Sequence, residues 1–269
     1  MPAQAFKTIL VTGANKGIGF HAARLLSEKL PSTTILLGSR SISNAESALQ
    51  KLRSSSTNQY TNLIPIQLDV SDAQSVDRAA KDVETKYGSL DVLLNNAGIA
   101  NDNPKEVFEV NLFGVKRTIE AFEPLLKKVS DPRIVVVSSE VGKGGLDLMT
   151  PDLQSTFTNI DSLTWSTISD LAEDYLSSSP TRKWPNPAQT YGSYGVSKTF
   201  VSAWSRLYAK QHPEIRLAVV CPGYCQTDLA PQGVRSAEAG GKSVIFPVLE
   251  DKWEQGGFYR DAEPLKYIS

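Results

Sequence analysis

The chain has 269 residues, of which 41% are hydrophobic, 21% charged and 8% aromatic. That apolar share supports a sizeable core and excludes wholesale disorder. With 28 basic and 29 acidic side chains the formal net charge is -1, so neither a nucleic-acid backbone nor an anionic membrane is an expected partner. No apolar run approaches the ~18 residues of a membrane span, and residues 1–7 lack a secretory apolar stretch. Two cysteines, Cys221 and Cys225, are too few for a disulfide framework. The expectation is a cytoplasmic protein with one domain over residues 1–269.

Thr8 to Thr12 is a short β-type run that ends in a glycine-rich turn. Gly17 to Leu30 reads as a helix, with Ile18, Ala22, Leu25 and Leu26 on one face. Thr34 to Gly38 is a second strand. A helix from Ser43 to about Arg53 follows, with Ala45, Ala48, Leu49 and Leu52 as its apolar positions. After a serine-rich loop, Leu63 to Leu68 is the third strand. Asp72 to Tyr87 is helical, bounded by Asp72 and Gly88. Val92 to Asn95, Ile134 to Val137 and Leu217 to Val220 are strands four to six. Helical stretches run from Val107 to Lys128 and from Ser193 to Gln211. The strands are continuous apolar runs, as expected when both faces are covered. Their alternation with helices predicts an α/β fold: a doubly wound parallel sheet of Rossmann type, with helices on both faces.

One interval breaks the rhythm. About residues 140–192 separate strand five from the next helix, and an insertion of this length is more often functional than idle. It carries an amphipathic stretch (Ile168, Leu171, Ala172, Tyr175, Leu176) and a proline-rich loop from Pro180 to Pro187. Trp165, Tyr175 and Trp184 either line a pocket or form the insertion's own core.

The turn Thr12-Gly13-Ala14-Asn15-Lys16-Gly17-Ile18-Gly19 follows strand one and opens a helix. Glycines let backbone approach a ligand closely, and a helix start offers free N–H groups to a pyrophosphate. The position predicts dinucleotide binding rather than a bare βα turn. Strand two ends in Gly38-Ser39-Arg40-Ser41, without the acid that would hold an adenosine 2′-hydroxyl. Arg40 and Lys16 suit a 2′-phosphate instead, so NADP is expected over NAD.

Several residue groups occur together in one order: Thr12-Gly13-x3-Gly17-x-Gly19, Asn95-Asn96-Ala97-Gly98, Asn111, Ser139, Tyr194-x3-Lys198 and Pro222-Gly223-x3-Thr227. In these the chain resembles the short-chain dehydrogenases/reductases. It is most similar to their carbonyl reductases, through Asn15-Lys16-Gly17, Tyr194-Gly-Val-Ser-Lys198, Cys221-Pro-Gly-Tyr224 and the long insertion. Two features depart from the pattern. Tyr224 stands where many carbonyl reductases carry Trp, and the insertion's composition is its own. The resemblance implies NADPH as cofactor. It implies contacts from Gly13, Asn15, Lys16, Gly17, Ile18, Gly19, Ser39, Arg40, Asp69, Val70, Asn96, Ala97, Gly98, Tyr194, Lys198, Pro222, Gly223, Cys225 and Thr227. Asp69 would face the adenine, Asn96 and Gly98 would flank the adenosine, and Thr227 would help orient the carboxamide.

Carbonyl reduction needs a hydride donor, a proton donor and a group that stabilises the developing alkoxide. Tyr194 serves as the acid if its pKa falls below the free value of about 10. Lys198, four residues on, can stand beside its phenol. Ser139, at the end of strand five, would hold the substrate oxygen, with Ser138 as the alternative. Tyr191 lacks a lysine partner and reads as a pocket wall or packing residue. Asn111 is a poor interior helix residue, and the resemblance gives it a water that links Lys198 to solvent. Cys221 and Cys225 lack a second ligand pair, so no metal is expected. His21 and His212 read as surface residues on helix faces.

The expected function is NADPH-dependent reduction of a small-molecule ketone or aldehyde. An NADP-binding redox sensor and an interaction scaffold are the alternatives, although neither needs an acid–base set. If the insertion's apolar stripe folds onto the long helices of its own chain, it covers the face used for pairing, and a monomer is expected.

Overall fold

The computed structural model describes residues 6–266, so the expectation for the first five residues lies outside the described residues. The strands are β1 (Thr8–Val11), β2 (Thr34–Ser39), β3 (Leu63–Gln67), β4 (Val92–Asn95), β5 (Arg133–Val137), β6 (Arg216–Val220), β7 (Phe258–Arg260) and β8 (Glu263–Pro264). They form one sheet in the order β3-β2-β1-β4-β5-β6-β7-β8. Every pairing is parallel except β7 with β8. The chain winds outward from β1 to β3, then crosses back to β4. The crevice at the carboxyl ends of β1 and β4 is therefore the switch point, where open α/β sheets bind ligands. This is the doubly wound, Rossmann-type fold expected from the alternation.

The continuous apolar runs are explained by two cores, one on each face of the sheet. Ile9, Val11, Ile35, Leu37, Val135 and Val137 face α1 (Gly17–Lys29), α2 (Ile42–Ser55) and α10 (Ala237–Leu249). Leu10, Leu36, Leu93, Ile134 and Val136 face α3 (Ala73–Tyr87), α5 (Val115–Leu126) and α9 (Ser193–Gln211). No described helix is long and apolar enough to cross a membrane.

The helical stretch expected from Val107 to Lys128 runs from Pro104 to Leu126 as α4 (Pro104–Phe108), a π-helical segment, Glu109–Gly114, and α5. The insertion is largely ordered, as α6 (Glu140–Asp147), α7 (Pro151–Thr158) and α8 (Trp165–Leu176). α10 and the β7–β8 hairpin were not anticipated. α10 contains Gly240, Gly241 and Pro247, which weaken any helix signal. Gly241 is required by contact, because a Cβ there would come within 2.9 Å of the His21 Cβ on α1. The hairpin turn places Asp261 and Ala262 at φ 54° and 67°, without the Asn-Gly pair that advertises such turns.

α8 packs against α9 of its own chain. Ile168, Leu171 and Ala172 are buried. Trp165 meets Trp204 of α9 and Phe113 edge-on, at 6.4 and 6.0 Å. Trp165 is thus half-buried against the core.

Candidate active site

The glycine turn is shaped from within. Gly13 and Gly17 adopt φ +61° and +59°, values that disfavour side chains. A Cβ on Gly13 would lie 2.9 Å from the Ala97 Cα. Thr12 and Asn96 fasten the turn to the end of β4. The Thr12 hydroxyl accepts from the Asn96 and Ala97 N–H groups at 3.0 and 2.9 Å. The Asn96 amide donates to the carbonyls of Thr12 and Gly13 at 2.9 and 3.2 Å. Asn96 therefore braces the turn, and its Nδ2 is not free to flank an adenosine. Thr12, which braces it equally, was missed as a site residue although it lies inside the glycine motif.

α1 starts beside this turn without a side-chain cap, so its first N–H groups face the crevice. The half-buried Asn15 and Ile18 border it, and Gly19 is buried. An uncapped helix start beside glycines fits a dinucleotide's pyrophosphate. Ser39 is buried, and Arg40 is exposed just beyond β2. Lys16 also lies at this edge, but its ammonium is paired with Asp228 at 2.7 Å. The Asp69 carboxylate accepts from the N–H and hydroxyl of Ser71 at 3.0 and 2.6 Å, so it shapes its own turn. The Val70 carbonyl accepts from Arg117 at 2.6 Å.

Beyond β6, Pro222 and Gly223 turn the chain across the crevice. A Cβ on Gly17 would meet the Thr227 side chain at 3.4 Å, which puts Thr227 against the glycine turn. Cys225 is buried, with its thiol donating to the Pro222 carbonyl at 3.2 Å. Cys221, read in the sequence as part of the Cys221-Pro-Gly-Tyr224 motif and as half of an unlikely metal pair, has a structural role. Its sulfur accepts from the Glu140 and Gly223 N–H groups, both at 3.4 Å. It thereby ties the loop after Ser139 to the turn after β6.

Ser139, Tyr194 and Lys198 converge at the carboxyl edge of β5. The Ser139 oxygen caps α6 by accepting from the Val141 N–H at 3.3 Å, and the Ser139 side chain lies close enough to the Tyr194 phenol to favour its ionised form. Ser138 is 1% exposed and bonds to Ser202 and the Lys198 carbonyl, so it faces away from the crevice. Lys198 is buried; its Nζ donates to the Val137 carbonyl at 2.9 Å and lies 5.5 Å from the Tyr194 ring centroid. A Cβ on Gly98 would lie 3.6 Å from that Nζ.

The lowered Tyr194 pKa on which the acid role depends is not produced by the protein's own groups. Burial pushes it up to about 12, against the lowering effect of the neighbouring Ser139 side chain. Lys198 is itself drawn down to about 8 by burial. Its ammonium is committed to Val137 and does not offset the desolvation of the phenol.

Asn111 sits within the π-helical segment, fully buried. Its Oδ1 accepts from the Ile99 N–H, while Nδ2 donates to the Ile99 carbonyl and the Ser197 hydroxyl, at 2.9, 2.9 and 3.0 Å. Only the second lone pair of Oδ1 is left for a water. Tyr191 is 74% exposed at φ +56°, so its packing reading is wrong and the wall reading stands. His21 is half-buried with an unpartnered Nδ1, and His212 ends α9 stacked on Tyr208. Neither matches the expected surface residue on a helix face.

A glycine turn at a sheet's switch point, with Tyr and Lys one turn apart beside it, is the layout of an α/β dehydrogenase. The family model for short chain dehydrogenases matches residues 7–151. The chain is 32% identical to (+)-neomenthol dehydrogenase of Arabidopsis thaliana, over 88% of this chain and 89% of the relative. It is 34% identical to carbonyl reductase (NADPH) 1 of Mus musculus, over 89% and 90%. The solved salutaridine reductase of Papaver somniferum superposes with a TM-score of 0.83 at 27% identity, covering 94% of this chain and 99% of that one. The chain belongs to the short-chain dehydrogenase/reductase family and is an oxidoreductase. Enzymes of this family use nicotinamide cofactors.

Proposed function

We propose that this protein reduces a ketone or aldehyde to an alcohol, with NADPH as the hydride source and Tyr194 as the proton donor. The observation that carries the reading is the convergence of Ser139, Tyr194 and Lys198 at the carboxyl edge of β5, with Lys198 one helical turn along α9 from Tyr194 and its Nζ 5.5 Å from the Tyr194 ring centroid. The Ser139 hydroxyl holds the substrate oxygen. Burial keeps the phenolic proton of Tyr194 in place at neutral pH, so it is there to be donated, and the positive charge that a bound cofactor would bring would draw the pKa back toward the working range of a general acid. Proton transfer to the developing alkoxide then completes the reduction. Asn111 and Ser197 keep the loop at Ile99 and α9 in register around Lys198.

Bound NADPH would supply the hydride. Gly13, Gly17, Gly19 and the open start of α1 would hold its pyrophosphate. Arg40 would take the 2′-phosphate, with Lys16 shared between that group and Asp228. The turn from Pro222 to Thr227 would orient the carboxamide. The names of the relatives, a dehydrogenase of neomenthol and an NADPH carbonyl reductase, support this choice of chemistry and cofactor.

We also read the chain as a one-domain monomer, because both cores share one sheet and α8 covers α9 of its own chain. Two free, buried thiols support a reducing, cytoplasmic setting. The test mixes the protein with NADPH and a panel of carbonyl compounds, and follows absorbance loss. Tyr194→Phe should cut turnover by about 10²–10⁴-fold while NADPH binding persists. Turnover within a few-fold of wild type would remove Tyr194 from the mechanism.

A further inference from the structure

The insertion walls a cavity of about 820 Å³, lined among others by Leu148, Tyr175, Trp184 and Gln189. That volume lies in the range that takes drug-sized ligands. Leu148 and Gln189 also line a second hollow of about 500 Å³, whose walls include Glu140, Val141 and Tyr191. Glu140 follows Ser139 directly, and the Val141 N–H donates to the Ser139 hydroxyl. The two hollows therefore share Leu148 and Gln189 as walls, and the second is bounded by Glu140 and Val141, the residues that follow Ser139. Leu148 and Tyr191 stand in these walls 47% and 74% exposed. Large apolar side chains left in water beside a cavity are surface that a ligand can cover.

Trp184 does not sit there by packing alone. One carboxylate gathers its loop. Asp174, near the end of α8, accepts from the Thr181 N–H at 2.7 Å and hydroxyl at 2.6 Å, the Arg182 N–H at 3.2 Å and the Trp184 Nε1–H at 2.8 Å. The indole so fixed meets Tyr175 edge-on at 5.2 Å and lies tilted over Phe200 at 5.9 Å. Phe200 is on α9, six residues beyond Tyr194. Cavity wall and Tyr194 are thus parts of one packed unit.

We infer that this cavity is a second part of the substrate site, which takes an apolar ring-bearing group remote from the reacting carbonyl. Asp174 is the positioning residue that fixes its Trp184 wall. The inference rests on the reductase reading above.

Cyclohexanone and 4-phenylcyclohexanone present the same carbonyl and differ by one remote phenyl ring. kcat and KM for both are measured in the wild type, Trp184→Ala and Asp174→Ala. The wild type should prefer the phenyl compound by about 10-fold or more in kcat/KM, mainly through KM. Each variant should bring that ratio to within about threefold of unity, with kcat/KM for cyclohexanone held within about twofold. A preference that survives both variants overturns the inference. So does an equal loss with both ketones, and so does a wild type that shows no preference. If the wild type reduces neither ketone, the reductase reading fails, and calorimetric titration of 4-phenylcyclohexanone tests the cavity by itself. Binding to the wild type but not to Trp184→Ala supports the cavity; equal binding, or none, overturns it.

Discussion

Lys198→Met tests how the site is held together. Lys198 is 4% exposed, and burial draws its ammonium down from 10.5 to about 8. Each pKa unit corresponds to about 1.36 kcal/mol, so keeping the charge at pH 7 opposes folding by roughly 3 kcal/mol. Below pH 8 both folded and unfolded chains carry the proton, and the penalty is constant. Between about 8 and 10.5 the unfolded chain keeps its proton while the folded chain gives it up. Stability of the wild type therefore rises with pH through that window. Methionine removes the titration. It also leaves the Val137 carbonyl without its 2.9 Å donor, a loss of roughly 1–3 kcal/mol that does not depend on pH. The unfolding free energy of Lys198→Met relative to wild type should thus fall by roughly 2–3 kcal/mol from pH 7 to pH 10. The raised tyrosines titrate in both proteins and cancel in this difference. Urea unfolding followed by tryptophan fluorescence, at pH 7, 8, 9 and 10, measures it. A difference that stays constant across the series would refute the burial argument.

Two further outcomes are expected. Arg40→Asp should move the ratio of kcat/KM for NADPH over NADH down by about 10–100-fold, since charged hydrogen bonds of this kind contribute roughly 1.5–3 kcal/mol; a wild type that already uses both cofactors equally contradicts the role of Arg40. Light scattering at micromolar concentration should give the 29.3 kDa mass of one chain, and a dimer or tetramer mass would make the outer side of α8 an interface.

The features legible in the sequence are those that a short stretch of chain decides for itself. Thr8 to Thr12 is apolar and β-rich wherever it lies, and the glycines after it dictate a tight turn into α1. The spacing of Tyr194 and Lys198 puts both on one helix face before any packing is known. Alternation of such segments is enough to predict a doubly wound sheet. What required tertiary structure depends on groups far apart in the chain. The strand end favours Ser139 but leaves Ser138 as an alternative, and what decides against Ser138 is that Ser202 and the Lys198 carbonyl, 64 and 60 residues away, turn it inward. Asn96 looks like a ligand-facing turn residue until its amide is seen bracing Gly13, 83 residues earlier. The direction of the Tyr194 shift is not set by the i+4 lysine. It is set by how much water the whole fold removes from the phenol, and by Val137 taking the ammonium. Asp174 shows the same limit: its partners follow within ten residues, but without a repeating period that a sequence reading could detect. Periodic burial is written locally; desolvation and long-range hydrogen bonding are properties of the assembled chain.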